Sequence, residues 1–353
     1  MADKTFMIYG AYGYTGELIA RQAVAQGMTP VLAGRDDDRV HELARSLGLT
    51  SRTFGLSEAA EITPHLSDID VLLHCAGPFS ATAPQMIAAC IHTGTHYLDI
   101  AGEIDVFEHA FSRDGDARSA GVALCCGAGF DVVPTDCVAA YLHAALPDAC
   151  RLALGFDSRT GLSPGTARTT VEALAEGGRV RRDDELTEIA WAEGVRTIDF
   201  GAGPKQAACV PWGDIATAWR TTGIGDIAVY IPVSPARIRQ LRRLDRIGPL
   251  VALGPVQRWL KWRAGRIVGP DATRREHTET HVWGEVVNAA GERRVARLTV
   301  ANGYTVTVHA SLAMVGHLFE HAPSPGTYTP SQLAGRTLAE RLPGSGQVVI
   351  DDH

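Results

Sequence analysis

Lysine is almost missing from this chain: of 33 cationic side chains only Lys4, Lys205 and Lys261 are lysines. No tyrosine has a lysine four residues on, so a tyrosine–lysine proton relay of that spacing is excluded. Cysteine is neither clustered nor evenly paired. Seven residues with no Cys-x-x-Cys speak against a disulfide framework and against a thiolate zinc site, and Cys125-Cys126 reads as buried strand. No uncharged apolar run approaches the ~20 residues that span a bilayer; the longest candidate, 247–257, is far shorter. Met1-Ala-Asp-Lys4 leads straight into the first strand, so no leader is expected and the cytoplasm is the expected location. A net charge of −7 and the lack of any DNA- or RNA-binding motif exclude nucleic acid as the expected partner.

Present instead is ordinary globular material, 45% hydrophobic and 21% charged, enough for a substantial core. At 353 residues two lobes are expected. The organising stretch is Met7-Ile-Tyr-Gly-Ala-Tyr-Gly-Tyr-Thr-Gly16. Residues 5–9 are β-rich and 17–26 carry Leu18, Ile19 and Val24 on a helix-like face, which puts three glycines at a strand-to-helix turn. Gly10 permits the tight turn, Gly13 lets backbone N–H groups approach a pyrophosphate, and Gly16 lets helix pack on strand. Tyr12, Tyr14 and Thr15 lie within the same turn and join the candidate cofactor site. The pattern is GxxGxxG where the commoner fingerprint is GxGxxG.

A second strand over 30–33 ends at Gly34-Arg35-Asp36, where cofactor choice is decided. An acid there favours NAD and an arginine the 2′-phosphate of NADP. Arg35 at the strand end favours NADP over NAD; Asp36 reads either as a ribose ligand or as the cap of the next helix. A buried strand over 70–75 ends in Ala76-Gly77-Pro78-Phe79, expected to line the cofactor near its nicotinamide. Tyr97, Asp99 and Glu103 stand at the next strand end, and Asp131 and Asp136 at the one after. All fall on the carboxyl side where a substrate proton is handled, and Tyr97, Asp99 and Asp131 are the catalytic candidates. Asp131, Thr135 or Asp136 read equally as caps of a helix with Pro134 in its first turn.

From Arg151 the period changes, with a strand over 152–157 and a helix over 165–176. A hairpin is expected from 294–301 and 304–313 around Asn302-Gly303. Residues 207–219, with Pro211-Trp212-Gly213-Asp214 at their centre, read as a loop more than a regular element, 330–342 as a final helix and 347–350 as a short strand. His277, Glu279 and His281 alternate on one strand face; a solvated face is the reading preferred over a metal site, and none is expected. His309 reads as a core histidine. Arg159 and Arg168 are candidate clamps for a substrate carboxylate. Between Arg237 and Arg266 stand nine cations and one acid, a local +8, so a net −7 leaves −15 on the rest. Ile238, Leu241, Leu244 and Ile247 recur among these arginines, with Trp259 and Trp262 after them. The segment reads as a docking surface for an acidic acyl carrier protein or an anionic membrane, or as a packed helix with a solvated basic face.

Gly10-Ala-Tyr-Gly-Tyr-Thr-Gly16, Cys75-Ala-Gly-Pro-Phe79, Tyr97-Leu-Asp-Ile-Ala-Gly-Glu103 and Gly129-Phe-Asp-Val-Val-Pro-Thr-Asp136 together resemble the saccharopine dehydrogenase-like oxidoreductases. Val210-Pro-Trp-Gly-Asp-Ile-Ala-Thr-Ala-Trp219 and Tyr328-Thr-Pro330 are similar to the subgroup that holds trans-acting enoyl reductases. The resemblance implies an α/β protein: a Rossmann domain with a doubly wound parallel sheet over 1–135, and a mixed second domain with a largely antiparallel sheet over 136–325. Residues 326–353 would return to the first domain. It implies NADPH-dependent hydride transfer to a C=C or C=N bond of an acyl-type or small substrate. The runners-up are a saccharopine-type imine dehydrogenase and a non-catalytic nucleotide-binding protein. A homodimer is expected.

Overall fold

A computed structural model describes residues 4–158, 171, 177–251, 253–264, 266 and 278–352. In chain order the first run holds β1 (Phe6–Tyr9), α1 (Tyr14–Ala25), β2 (Val31–Gly34), α2 (Asp37–Leu47), β3 (Ser51–Thr53) and α3 (Ala59–Ile62). It continues through β4 (Val71–His74), α4 (Phe79–Thr93), β5 (His96–Asp99), α5 (Ile104–Ser112), α6 (Asp114–Ala120) and β6 (Ala123–Cys125). Next come α7 (Val133–Ala145), β7 (Ala149–Ser158), β8 (Gly178–Arg182), β9 (Glu185–Ile189), β10 (Arg196–Asp199) and β11 (Pro204–Val210). They are followed by α8 (Asp214–Thr222), β12 (Asp226–Pro232), α9 (Pro235–Val251), α10 (Gly254–Ala264), β13 (Thr280–Asn288) and β14 (Arg293–Val300). The chain closes with α11 (Gly303–Glu320), β15 (Gly326–Tyr328), α12 (Pro330–Ala334) and β16 (Val349–Asp352).

Two compact units share these elements: residues 1–131 with 304–334, and residues 132–303 with 335–353. The first contains a seven-stranded sheet in the order β15-β6-β5-β4-β1-β2-β3. Every neighbouring pair in it is parallel. Phe-Met-Ile-Tyr in β1 and Val-Leu-Leu-His in β4 are buried at every position, as a sheet covered on both faces requires. The chain runs outward from β1 to β3 and then returns to β4 on the other side of β1. The switch point of a doubly wound sheet therefore lies between β1 and β4, where such folds bind ligands.

The second unit holds a nine-stranded sheet in the order β10-β11-β12-β7-β13-β14-β16, with β8 on β12 and β9 on β8. Only β12 and β7 run parallel among the described pairs, so the largely antiparallel expectation holds. Phe200, Trp283, Ala153 and Val295 form part of its core. No helix among the described residues is long and apolar enough to cross a membrane.

Several expectations are corrected. Residues 304–313 are not a strand paired to β14 but the start of α11, which runs to Glu320. The alternation of Val306 and Val308 with threonines suggested period two; the helix is instead buried on most sides, and periodicity loses its meaning there. The final helix stops at Ala334, because Gly335 turns the backbone left-handed at φ +88, and a short 3-10 turn follows at Ala339–Arg341. Residues 335–353 join the second unit, where β16 pairs with β14 and not with the first sheet. The loop expected over 207–219 is mostly regular structure, since β11 runs on to Val210 and Asp214 opens α8, leaving only 211–213 between them. The expected helix over 165–176 lies outside the described residues apart from Val171.

Gly155 in β7 is the tightest strand glycine of the second unit: a Cβ there would stand 2.4 Å from the Tyr230 carbonyl oxygen and 3.1 Å from the Phe200 ring. Backbone cannot swing aside as a rotamer does, so Gly155→Ala should cost about 1–3 kcal/mol of stability. Thermal denaturation measures this, and an unshifted midpoint would contradict the packing.

Candidate functional site

The first site feature is a backbone contact at the switch point. Gly10, at φ +82, leaves no room for a side chain: a Cβ would meet Ala76 at 2.9 Å. Gly16 is more confined, its Cβ direction ending 2.3 Å from the Gly10 carbonyl oxygen. Gly13 N–H donates to that same oxygen at 2.9 Å, and Gly13 is the N-cap of α1 with no side-chain cap. Gly13 has no side chain with which to cap the first turn, where Tyr14, Thr15 and Gly16 stand at the carboxyl edge of the sheet. The start of α4 repeats the arrangement, with Pro78 as N-cap after a cis Gly77–Pro78 peptide and again no side-chain cap. The structure therefore brings Gly10 of the 10–16 turn against Ala76 at the start of the 76–79 loop.

The second feature is the corner at the end of β2. Asp36 accepts from Arg39 N–H at 3.2 Å, so its carboxylate caps α2, and Arg35 stands exposed beside it. The Tyr12 ring lies on Gly34, where a Cβ would come within 2.4 Å of its Cε1. The Arg39 guanidinium sits 4.4 Å from the centre of that ring and donates to the Tyr12 carbonyl oxygen at 3.2 Å. Arg39 escaped the sequence reading; its only signal was its position one turn beyond Arg35.

The third feature is the edge formed by β5 and β6. Tyr97 and Asp99 are fully buried. The Tyr97 hydroxyl donates to Asp99 Oδ2 at 2.8 Å, while Ala101 N–H and Gly127 N–H donate to Oδ1 at 3.0 and 2.9 Å. Burial raises the Asp99 carboxyl above its usual range, with these donors pulling the other way. Tyr97 and Asp99, both expected as catalytic, have these polar atoms engaged with each other and with the backbone. Asp131 stands beside Gly102, whose Cβ direction ends 3.2 Å from its Oδ2. Burial pushes the Asp131 carboxyl up to about 6. Glu103 is pushed up to about 7 by burial first, with Asp99 and Asp131 adding to the effect. Its Oε2 accepts from Gly102 N–H at 2.9 Å; its Oε1 is shielded from solvent with no hydrogen-bond partner.

Other candidates separate from this edge. Asp136 is buried in α7 of the second unit and accepts from Thr221. His74 is fully buried, held neutral by desolvation that takes it to about 3, and contacts Thr82 through Nε2 at 2.9 Å. His277, Arg159 and Arg168 lie outside the described residues, while Glu279 is exposed and His281 contacts Thr299 at 3.1 Å. Among the described residues no group of three His, Cys, Asp or Glu could hold a metal ion. The second unit has a cavity of about 450 Å³ that includes Arg181, Arg182 and Arg196. Three of its four arginines are engaged, Arg196 with Glu285, Arg182 with Glu193 and Arg181 with the Ile215 and Asp184 carbonyls, while the fourth, Arg151, is exposed.

Residues 6–125 match the family model of the saccharopine dehydrogenase NADP binding domain. A putative trans-acting enoyl reductase of Mycobacterium tuberculosis (strain ATCC 25618 / H37Rv) is 29% identical over 417 residues, covering 96% of this chain and 95% of that protein. A trans-acting enoyl reductase of Mycobacterium bovis (strain BCG / Pasteur 1173P2) is 28% identical over 230 residues, which cover 59% of this chain and 53% of that protein. The chain thus spans about half the length of that relative. Among solved structures, apo saccharopine dehydrogenase (L-Glu forming) of Saccharomyces cerevisiae is similar in fold, with a TM-score of 0.62 at 11% identity, covering 99% of this chain and 100% of that one. The homospermidine synthase of Legionella pneumophila, in complex with NAD, gives a TM-score of 0.63 at 11% identity over 99% of this chain and 92% of that one. The resemblance read from the sequence is met by these findings.

Removing the Asp99 carboxylate would strand three donors in a dry interior. Asp99→Ala should cost about 3 kcal/mol or more, on the order of 1–3 kcal/mol for each unsatisfied group. Asp99→Asn, which keeps one acceptor oxygen for the two N–H groups, should cost less. Equal melting temperatures for the two variants would contradict the assignment.

Proposed function

We propose, on the premise that residues 6–125 are a dinucleotide-binding domain of the saccharopine dehydrogenase type, that this protein is an NADPH-dependent reductase acting on the C=C bond of an enoyl acyl substrate. The trans-acting enoyl reductases among its relatives support the substrate class. The observation that carries the chemistry is the shielded, partnerless Oε1 of Glu103 beside Asp131 at the carboxyl edge of the sheet.

A bound reduced nicotinamide supplies the hydride. Gly10, Gly13 and Gly16 keep the backbone bare enough for a pyrophosphate to meet the α1 N–H groups. Tyr12, Tyr14 and Thr15 border it, and Gly34 seats the Tyr12 ring. Arg35 and Arg39 would take a 2′-phosphate, which the exposure of one and the Tyr12 stacking of the other both suit. Asp36, the acid that would favour NAD, is occupied as a helix cap. Ala76, Gly77, Pro78 and Phe79 border the nicotinamide side.

Reduction of an α,β-unsaturated acyl group adds hydride to the β-carbon and leaves an electron pair on the α-carbon, which then takes a proton. Glu103 is our candidate for holding that proton at Oε1. Its carboxyl keeps a proton well above the ordinary carboxylate range, and Asp131 beside it opposes a second charge. A saccharopine-type imine reduction would call for arginines converging on substrate carboxylates, and no described residue pair favours that reading.

Titration with NADPH and NADH should give tighter binding of NADPH, weakened about tenfold or more in Arg35→Ala and in Arg39→Ala, as loss of a charge-assisted hydrogen bond predicts. Binding of NADH should change little. Preference for NADH would overturn the arginine assignment, and binding of neither nucleotide would return the chain to a non-catalytic reading.

Glu103→Gln should retain cofactor affinity and lose turnover. The wild-type rate should fall as pH rises through about 7, because the proton-bearing form is lost there. Stability follows the same sign: a carboxyl raised in the folded state is penalised once ionised. Wild-type stability should therefore drop, relative to Glu103→Gln, as pH rises from the ordinary carboxylate range through about 7. A pH profile identical in both proteins would remove Glu103 from the reaction.

A further inference from the structure

Five large hydrophobic side chains stand exposed among the described residues, and three of them, Leu253, Trp259 and Trp262, fall within ten residues of one another. Each of the three is more than half exposed, at 51%, 53% and 54%. Trp259 and Trp262 are three apart in α10, so they share one face of the helix. The opposite side is the one that packs: Val256, Gln257 and Leu260 are half-buried, and Gln257 donates to the Val171 carbonyl oxygen at 3.3 Å. Arginines frame the aromatic face. Arg263 lies 5.3 Å from the Trp259 ring centre, Arg266 lies 3.6 Å from that of Trp262, and Arg258 is exposed beside them.

The preceding helix has the same polarity. Ile238 and Leu241 of α9 pack into a small core with Ala192 and Ala208, which turns Arg237, Arg239, Arg242 and Arg243 outward. Among the described side chains, Ile238 and Leu241 of α9 and Val256 and Leu260 of α10 lie inward while Arg237, Arg239, Arg242, Arg243, Arg258 and Arg263 are exposed. Residues 237–266 carry +8 on a chain whose remainder is −15. Solvated basic helices need no tryptophan, and an acidic protein partner would be served by the arginines alone. Indole rings exposed among guanidinium groups match the headgroup boundary of a bilayer, where the ring is half in hydrocarbon and the cations meet anionic lipid.

From this combination we infer that α9 and α10 form a peripheral docking face for an anionic membrane surface, with Trp259 and Trp262 inserting at headgroup depth. It stands independently of the reductase reading. Neither helix crosses the bilayer, since none among the described residues is long and apolar enough. The docked helices lie along the surface.

The test is sedimentation of the full chain with vesicles of phosphatidylcholine alone or mixed with phosphatidylglycerol. Wild-type protein should sediment with the mixed vesicles and not with the neutral ones, and added salt should release it. Trp259→Ala with Trp262→Ala should weaken binding at least tenfold at an unchanged melting temperature. Should that variant not fold, Arg239→Ser with Arg242→Ser and Arg243→Ser gives the same test through charge. Equal sedimentation with neutral vesicles, or none with either, would overturn the proposal. So would binding of an acidic acyl carrier protein through the same arginines while vesicles are ignored.

Discussion

A carboxylate sealed from water at the end of β5 sets the geometry of the carboxyl edge. Asp99 gathers a hydroxyl from its own strand, an N–H from the loop that follows and another from the loop after β6. Ala128 N–H adds a bond to its carbonyl oxygen at 2.6 Å. Two loops that would otherwise be free to part are tied to one side chain. Gly102 then comes against Asp131, and Glu103 is drawn into a partly dry setting where its carboxyl resists ionisation. The unusual acid is thus a consequence of a neighbour that touches nothing outside the protein. Such division of labour is physically economical, because a buried charge is tolerable only with all its donors in place.

At the switch point the constraint is absence of atoms. Gly10 against Ala76 and Gly16 against the Gly10 carbonyl oxygen bring three backbone segments closer than any side chain allows. At both turns the N-cap residue, Gly13 or Pro78, offers no side-chain cap to the helix it opens. Beyond the end of β2 an acid, Asp36, has turned inward to cap the helix, while Arg35 stands exposed and Arg39 stacks on the Tyr12 ring.

The first unit was legible because its signals are local. An apolar strand, a glycine turn and a helix face lie within about twenty residues of each other, and each strand end is marked by glycine or proline. Arg39 was missed since its role depends on a ring folded over from another loop, which no spacing records. Residues 304–320 were misread for a different reason: a helix buried on most sides has no polar stripe, and Thr-Val-Thr-Val imitates a strand. Tyr97 and Asp99 were singled out by their place at a strand end, but whether a carboxylate faces a ligand or a neighbour's N–H is settled only by the fold. The basic segment was visible as charge; its exposed tryptophans became informative once Ile238 and Leu241 were found in a core and Leu260 half-buried.

The chain passes from the first unit to the second, back to the first and back again, at residues 131, 303 and 334. On a ribosome, where the chain emerges from its N-terminus, the nucleotide-binding unit cannot be finished when its own first 131 residues are out. Strand β6 waits with an open edge until residues 326–328 arrive to become its neighbour, and by then the other unit's strands have nearly all been made. An unpaired parallel strand of that kind is a template for wrong partners. Residues 326–328 therefore bear on whether residues 6–125 survive their own synthesis.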